Sequence, residues 1–215
     1  MTTIGILGVL HDPELRQRYG LTMELIEELI VEFNPDVICG EVLPSSWDKF
    51  IEDPNNRGYW GEPASEYWEL IFPLCEQRSI VFEPIDWVEL DVWTDFDPFN
   101  QYAEPQKEQL ENELDRWFEK QLAAGDTNSI PFNSIAFDQV TKLKYEWLEQ
   151  LNPQAHVFRW ECRHLIMIQR IKNAIKRHPG KRILCIAGAD HNYMLCEGLG
   201  EDKEIQLVYP LGSFC

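Results

Sequence analysis

The sequence predicts an α/β fold: a mainly parallel central sheet flanked by helices, with a helical insertion between the third and fourth core strands. Three observations lead there. Short apolar runs recur along the chain and alternate with amphipathic helical patterns, the order that builds parallel sheets from βαβ units. Most of these runs are apolar on both faces, as strands covered on each side by helices are. One long segment between them breaks the alternation with loops and helical periodicity, and so reads as an addition to the sheet.

Taken in order, "TIGILGV" near the start is the first strand. "TMELIEELIVEF" follows with Met23, Ile26, Leu29, Ile30 and Phe33 at helical spacing, and Pro35 stops it. "DVICGEV" and "SIVFEPID" are the second and third strands. Residues 87–158 carry the insertion. Its loops, "VWTDFDPFNQYAEPQ" and "AAGDTNSIPFN", are marked by Pro, Asn, Asp and Gly. Its helices are marked by Leu110, Leu114, Trp117, Phe118 and Leu122, then by Val140, Leu143, Trp147 and Leu151. The aromatic loops either cover a pocket as a lid or pack on the core. "FRWECRHLIMIQRIKNAIKR" is a further helix, leading into the fourth and fifth strands, "RILCIAG" and "IQLVYP". A length of 215 residues suits a single α/β domain, 1–215, with the insertion inside it.

Composition narrows the function. An apolar content of 44% with eight tryptophans supports a packed core over a disordered chain. A net charge of −18 opposes binding to phosphate backbones, so neither nucleic acid nor an anionic membrane is an expected partner. "MTTIGILGVLHDPELRQ" lacks the basic start of a signal peptide, and no apolar run approaches the ~20 residues of a membrane helix. The expected location is the cytoplasm. The six cysteines are scattered without a C-x-x-C pair, and Cys39, Cys75 and Cys185 lie inside apolar runs, as reduced core residues do.

Ligands of open parallel sheets bind where the strands end. Four polar residues fall there: His11 after the first strand, Glu41 at the end of the second, Asp86 at the end of the third and His191 after the fourth. Two of them share a pattern, "GVLH" from Gly8 to His11 and "GADH" from Gly188 to His191, which suggests that each strand stops at glycine so that the histidine projects over the edge. Any one of the four alone reads as a cap or surface group. Together, two imidazoles and two carboxylates favour a bound cation or an acid–base pair, because a buried carboxylate is costly without a partner. Arg159 and Arg163 lie four apart on one helix face, from which either reaches the sheet edge to hold a carboxylate or a developing oxyanion. Asp86 and Arg159 are the expected substrate-binding residues. No G-x-S-x-G elbow, P-loop or dinucleotide fingerprint is present.

"LGVLH", "CGEV", "ECRHLIM" and "CIAGADH", in that order and strand context, resemble motifs of the TIKI/TraB superfamily, which also includes erythromycin esterases and ChaN-type haem-binding lipoproteins. The resemblance covers the two ends of the chain and leaves the middle unmatched. It implies that His11, Glu41 and His191 are catalytic, that the family's helix arginine falls on Arg163, and that the activity is hydrolytic, with divalent-metal dependence in one branch. The chain departs from the family pattern at Val9 in place of threonine, His164 in place of asparagine, and Asp190 before the second histidine.

The expected function is therefore hydrolysis of a peptide, amide or ester bond in a small molecule or peptide. His11, Glu41 and His191 would hold manganese, cobalt or zinc and an activated water, or Glu41 would act as a general base away from the metal. Metal-free hydrolysis, with one histidine activating water, is also open. The alternative is a non-catalytic ligand- or haem-binding module of the same fold.

Overall fold

The structure, a computed structural model, describes residues 1–56, 65–125 and 130–211. Among the described residues the strands form one five-stranded sheet in the order β3-β2-β4-β1-β5. They are β1 (Thr2–Val9), β2 (Val37–Gly40), β3 (Val81–Pro84), β4 (Arg182–Gly188) and β5 (Ile205–Val208), and every pairing is parallel. The α/β expectation therefore holds. β1 lies beside β4 with Val9 opposite Gly188, which brings the two Gly-x-x-His turns to neighbouring strand ends.

Two-sided burial follows from the period-2 alternation of side chains. On one face Leu7, Ile38, Leu184 and Ile186 pack with Ile26, Leu29, Ile30 and Phe33 of helix α2 (Met23–Phe33). On the other, Ile4, Ile6, Val37, Cys39, Ile183 and Cys185 pack with Met167 and Ile171 of helix α8 and Leu195 and Leu199 of helix α9. These two helices span Arg163–Arg177 and Asn192–Gly200. Helix α2 starts where the Thr22 hydroxyl accepts from the Leu25 N–H and ends at Asn34, which adopts φ 51°.

Helix α1 (Pro13–Arg18) follows β1, α3 (Pro44–Glu52) follows β2, and a π-helical turn, Tyr67–Ile71, runs into α4 (Phe72–Arg78) before β3. Between β3 and β4 lie a short 3₁₀ turn (Trp93–Phe96), then α5 (Glu104–Ala123), α6 (Ile135–Leu151) and α7 (Pro153–His156). A second π-helical turn, Val157–Cys162, joins α7 to α8. The helical path from Pro153 to Arg177 is thus continuous, and residue 158 falls inside it. Phe158 stacks on Phe96 at a centroid distance of 4.0 Å, so the start of this path packs with the insertion while its end packs with the sheet.

Neither motif glycine adopts a positive φ. β1 runs past Gly8 to Val9, so the first strand does not stop at the glycine, whereas β4 does end on Gly188. The reason for both glycines is space. A Cβ on Gly8 would lie 2.3 Å from the Asn192 amide, and one on Gly188 would lie 3.1 Å from His11 Nε2 and 3.3 Å from Glu41 Oε2. The Gly8 backbone also has a partner from the insertion, because β5 pairs with β1 only as far as Gly5. Asn133 Oδ1 accepts from the Gly8 N–H at 2.6 Å and Asn133 Nδ2 donates to the Gly8 carbonyl at 2.9 Å, a side-chain amide standing in for a neighbouring strand.

No helix among the described residues is long and apolar enough to cross a membrane. Cys39, Cys75 and Cys185 are buried and free.

Candidate active site

The carboxyl edge of the sheet assembles His11, Glu41, Asp86, Arg163 and His191 around one carboxylate. Glu41 follows β2 directly and its carboxylate is the hub. Oε2 accepts from the Gly188 N–H at 2.5 Å and lies 3.2 Å from His11 Nε2. Oε1 accepts from Arg163 Nη2 at 2.7 Å and lies 3.3 Å from His191 Nε2, an ion-pair distance. The Glu41 N–H donates to the Tyr67 hydroxyl at 2.7 Å, which in turn donates to the Ile186 carbonyl at 2.8 Å. Burial alone would push the Glu41 carboxyl up, but His191, His11 and Arg163 outweigh it and hold it well below the usual carboxylate range.

Arg163 opens α8 and bridges two carboxylates. Its Nε donates to Asp86 Oδ1 at 2.7 Å while Nη2 serves Glu41. Asp86 is 3% exposed and lies against the guanidinium. Burial works against the charge of Arg163, yet Glu41 and Asp86 leave its pKa raised.

Each histidine has its own orienting partner on Nδ1. His11 Nδ1 lies 2.6 Å from Glu66 Oε1, and Glu66 Oε2 accepts from Arg16 Nη1 at 2.7 Å. Glu66 and Arg16 are 1% and 4% exposed, whereas the His11 side chain is 50% exposed. Burial on its protein-facing side opposes charge on His11, and the two flanking carboxylates, Glu41 and Glu66, prevail, so its pKa is raised well above the ordinary histidine value. His191 is instead oriented by a second imidazole, with its Nδ1 2.8 Å from His164 Nε2.

Asp190 faces away from this hub. It accepts from Gln121 at 2.7 Å, Lys144 at 2.5 Å and the Tyr145 hydroxyl at 2.9 Å, which fastens α5 and α6 to the turn that carries His191. Burial raises its carboxyl, but Lys144 and the accompanying hydrogen bonds bring it below the usual range.

A cavity of about 490 Å³ opens beside the hub, lined by Trp93, Phe118, Tyr145, Arg159, Trp160 and Arg163 among others. Arg163 therefore borders both the carboxylate cluster and the cavity. Arg159 sits on the cavity wall with its guanidinium 4.3 Å from the centre of the Trp93 ring. The volume lies within the range of small-molecule sites.

The sequence-predicted His11, Glu41, Asp86, Arg163 and His191 converge, and Arg159 stands one turn away on the cavity. Glu66, Tyr67, Arg16 and His164 were missed. Glu66 and Tyr67 sit at the start of a π-helical turn, and such turns recur at functional sites, but nothing in "SEYWEL" distinguishes it from an ordinary helix start. His164 stood out only as a departure from the family pattern.

A divalent ion fits this arrangement poorly. Among the described residues no group of three or more His, Cys, Asp and Glu side chains is disposed to hold one. Both ring nitrogens of His11 already face a carboxylate oxygen, Nδ1 at 2.6 Å from Glu66 and Nε2 at 3.2 Å from Glu41, so an ion at either nitrogen would have to displace that contact. Glu41 already accepts from a backbone N–H and a guanidinium and has a ring nitrogen of His11 at 3.2 Å and one of His191 at 3.3 Å. What the cluster offers as it stands is proton carriers: His11 with its pKa raised beside two carboxylates, Glu41 with its carboxyl held low, and His191 with its second nitrogen fixed against His164. No protein-family model, curated protein or solved structure matches the chain.

Proposed function

We propose that the protein is a hydrolase that cleaves an ester or amide bond of a small, largely apolar molecule by acid–base catalysis at the His11–Glu41–His191 cluster. The observation that carries this reading is the unequal treatment of the two histidines around one ionised carboxylate. His11 Nδ1 meets the carboxylate of Glu66 and His191 Nδ1 meets the imidazole of His164, and different surroundings for like groups are how acid and base roles are divided in one site.

In the proposed reaction the apolar part of the substrate occupies the cavity beside Trp93 and Phe118, with its carbonyl toward Arg163. His191 Nε2 takes a proton from the attacking water, and Glu41 stabilises the imidazolium that forms. Arg163 has Nε and Nη2 committed to Asp86 and Glu41, which leaves Nη1 as the donor for the developing oxyanion. His11, already protonated, passes its Nε2 proton to the leaving oxygen or nitrogen, and Glu66 and Arg16 keep its ring in place. Asp86 acts through Arg163 as a positioning residue.

The test is a panel of small aliphatic and aromatic esters and amides, assayed with chelated protein and with Glu41→Gln. The expected result is turnover that survives chelation and falls by about 10²–10³-fold in kcat/KM in the variant, as for loss of a charge-stabilising group. Ligands that bind the cavity without being cleaved would favour the binding-module alternative. Turnover that requires added manganese, cobalt or zinc would restore the metal mechanism.

A further inference from the structure

We infer that His164 is a positioning residue that sets the tautomer of His191, so that the lone pair of the neutral His191 ring is presented at Nε2 toward Glu41. The inference rests on the reading of His191 as the base. It begins with a backbone carbonyl, which can only accept. His164 Nδ1 is 2.7 Å from the Trp160 carbonyl, one helical turn back, so Nδ1 must carry hydrogen. His164 is 0% exposed, and burial favours the neutral ring. A neutral ring with hydrogen on Nδ1 has its lone pair on Nε2. That lone pair faces His191 Nδ1 at 2.8 Å, so His191 Nδ1 is the donor.

The chain Trp160 carbonyl, His164, His191 therefore has one direction, and it ends with His191 Nε2 free of hydrogen when that ring is neutral. The opposite tautomer would place two lone pairs face to face at 2.8 Å, a closer approach than the 3.3 Å between Nε2 and Glu41 Oε1 that the preferred tautomer leaves without hydrogen. The surroundings hold the relay in register. Trp160 lies nearly parallel to His191, with ring centroids 5.2 Å apart and planes at 16°, and stacks on Tyr145 at 3.4 Å. Its Nε1 donates to the Tyr193 hydroxyl at 2.9 Å. The charged groups facing the pair are Glu41, from the end of β2, and Arg163, beside His164 on α8. Glu41 alone would favour hydrogen on Nε2 of His191, so without His164 the tautomer is set the other way. The carboxylate that orients His11 is replaced here by a neutral ring, which directs a proton without adding a charge.

The experiment is long-range ¹H–¹⁵N spectroscopy of histidine-labelled whole protein at a pH where His191 is neutral, for the wild type, His164→Leu and His164→Gln. The expected wild-type spectrum has His191 and His164 both protonated at Nδ1. His164→Leu should move the His191 hydrogen to Nε2 and lower kcat by about 10–100-fold with KM little changed. His164→Gln, whose amide oxygen can accept from Nδ1, should restore the wild-type tautomer and most of the rate. A wild-type His191 with bare Nδ1, or a His191 tautomer unchanged in a folded His164→Leu, overturns the inference. If His164→Leu does not fold, the wild-type spectrum decides. The tautomer is read without substrate, so failure of the hydrolase reading would show in the rates of Glu41→Gln and not in these shifts.

Discussion

Glu41 is held ionised by neighbours that each pay part of its burial, and the pH dependence of stability should show it. Its folded pKa lies below the ordinary carboxylate value, so its contribution is present above about pH 4.5 and is lost as pH falls through the folded value. His11 has the opposite sign. Its folded pKa is raised above 6.5, so its contribution is complete below about pH 6.5 and disappears as pH rises through the folded value. Glu66→Gln removes one of the two carboxylates that hold the His11 proton. The alkaline limb of the rate profile should then move to lower pH, read from kcat/KM across the pH range, with a rate near neutrality reduced by about tenfold. Gly188→Ala makes a steric prediction. A Cβ placed 3.1 Å from His11 Nε2 displaces the ring from Glu41, so turnover should drop by about tenfold or more while the melting temperature changes little.

At the scale of elements, α6 carries two buried charges with different fates. Lys144 is satisfied by Asp190 and Gln121. Lys144→Met would leave Asp190, whose side chain is 33% exposed and keeps Gln121 and Tyr145 as donors, without its cation, and chemical denaturation should show a loss of about 1 kcal/mol. Asp138, in the first turn of the same helix, is only 7% exposed and has one carboxylate oxygen without a partner. Burial pushes its pKa up to about 7, against a hydrogen bond from Tyr209. An acid whose folded pKa is raised contributes fully below its unfolded value and loses that contribution as pH rises to about 7. Asp138→Asn should therefore stabilise the protein at pH 8 by roughly 2 kcal/mol, and by much less at pH 4. The elements themselves were legible where apolar period and stop signals agree, as in α2 with Pro35 after it. The π-helical turns were not, because the extra residue in each turn leaves the composition of an ordinary helix unchanged. Phe158, where the sequence reading ends the insertion and begins the next helix, lies within a helical path from Pro153 to Arg177 that serves insertion and sheet alike.

At the scale of the whole molecule, parallel topology explains which site residues the sequence disclosed. His11, Glu41, Asp86 and His191 each follow a strand, and a parallel sheet brings all such positions to one edge. Glu66 and His164 come from helical segments whose approach depends on packing, and their role depends on a partner ring that sequence spacing does not encode. In the proposed reading this edge carries protons, with the pKa of His11 raised by Glu41 and Glu66. The most direct measurement is the titration of the His11 ring by NMR in chelated wild-type protein, from about pH 5 to about pH 9, repeated with an equivalent of zinc. The expected result is a His11 that keeps both ring protons well above the ordinary histidine range, with shifts unaffected by zinc. A His11 that titrates at or below that range, or that loses its Nε2 proton to stoichiometric zinc, would contradict it and identify the edge as a metal centre.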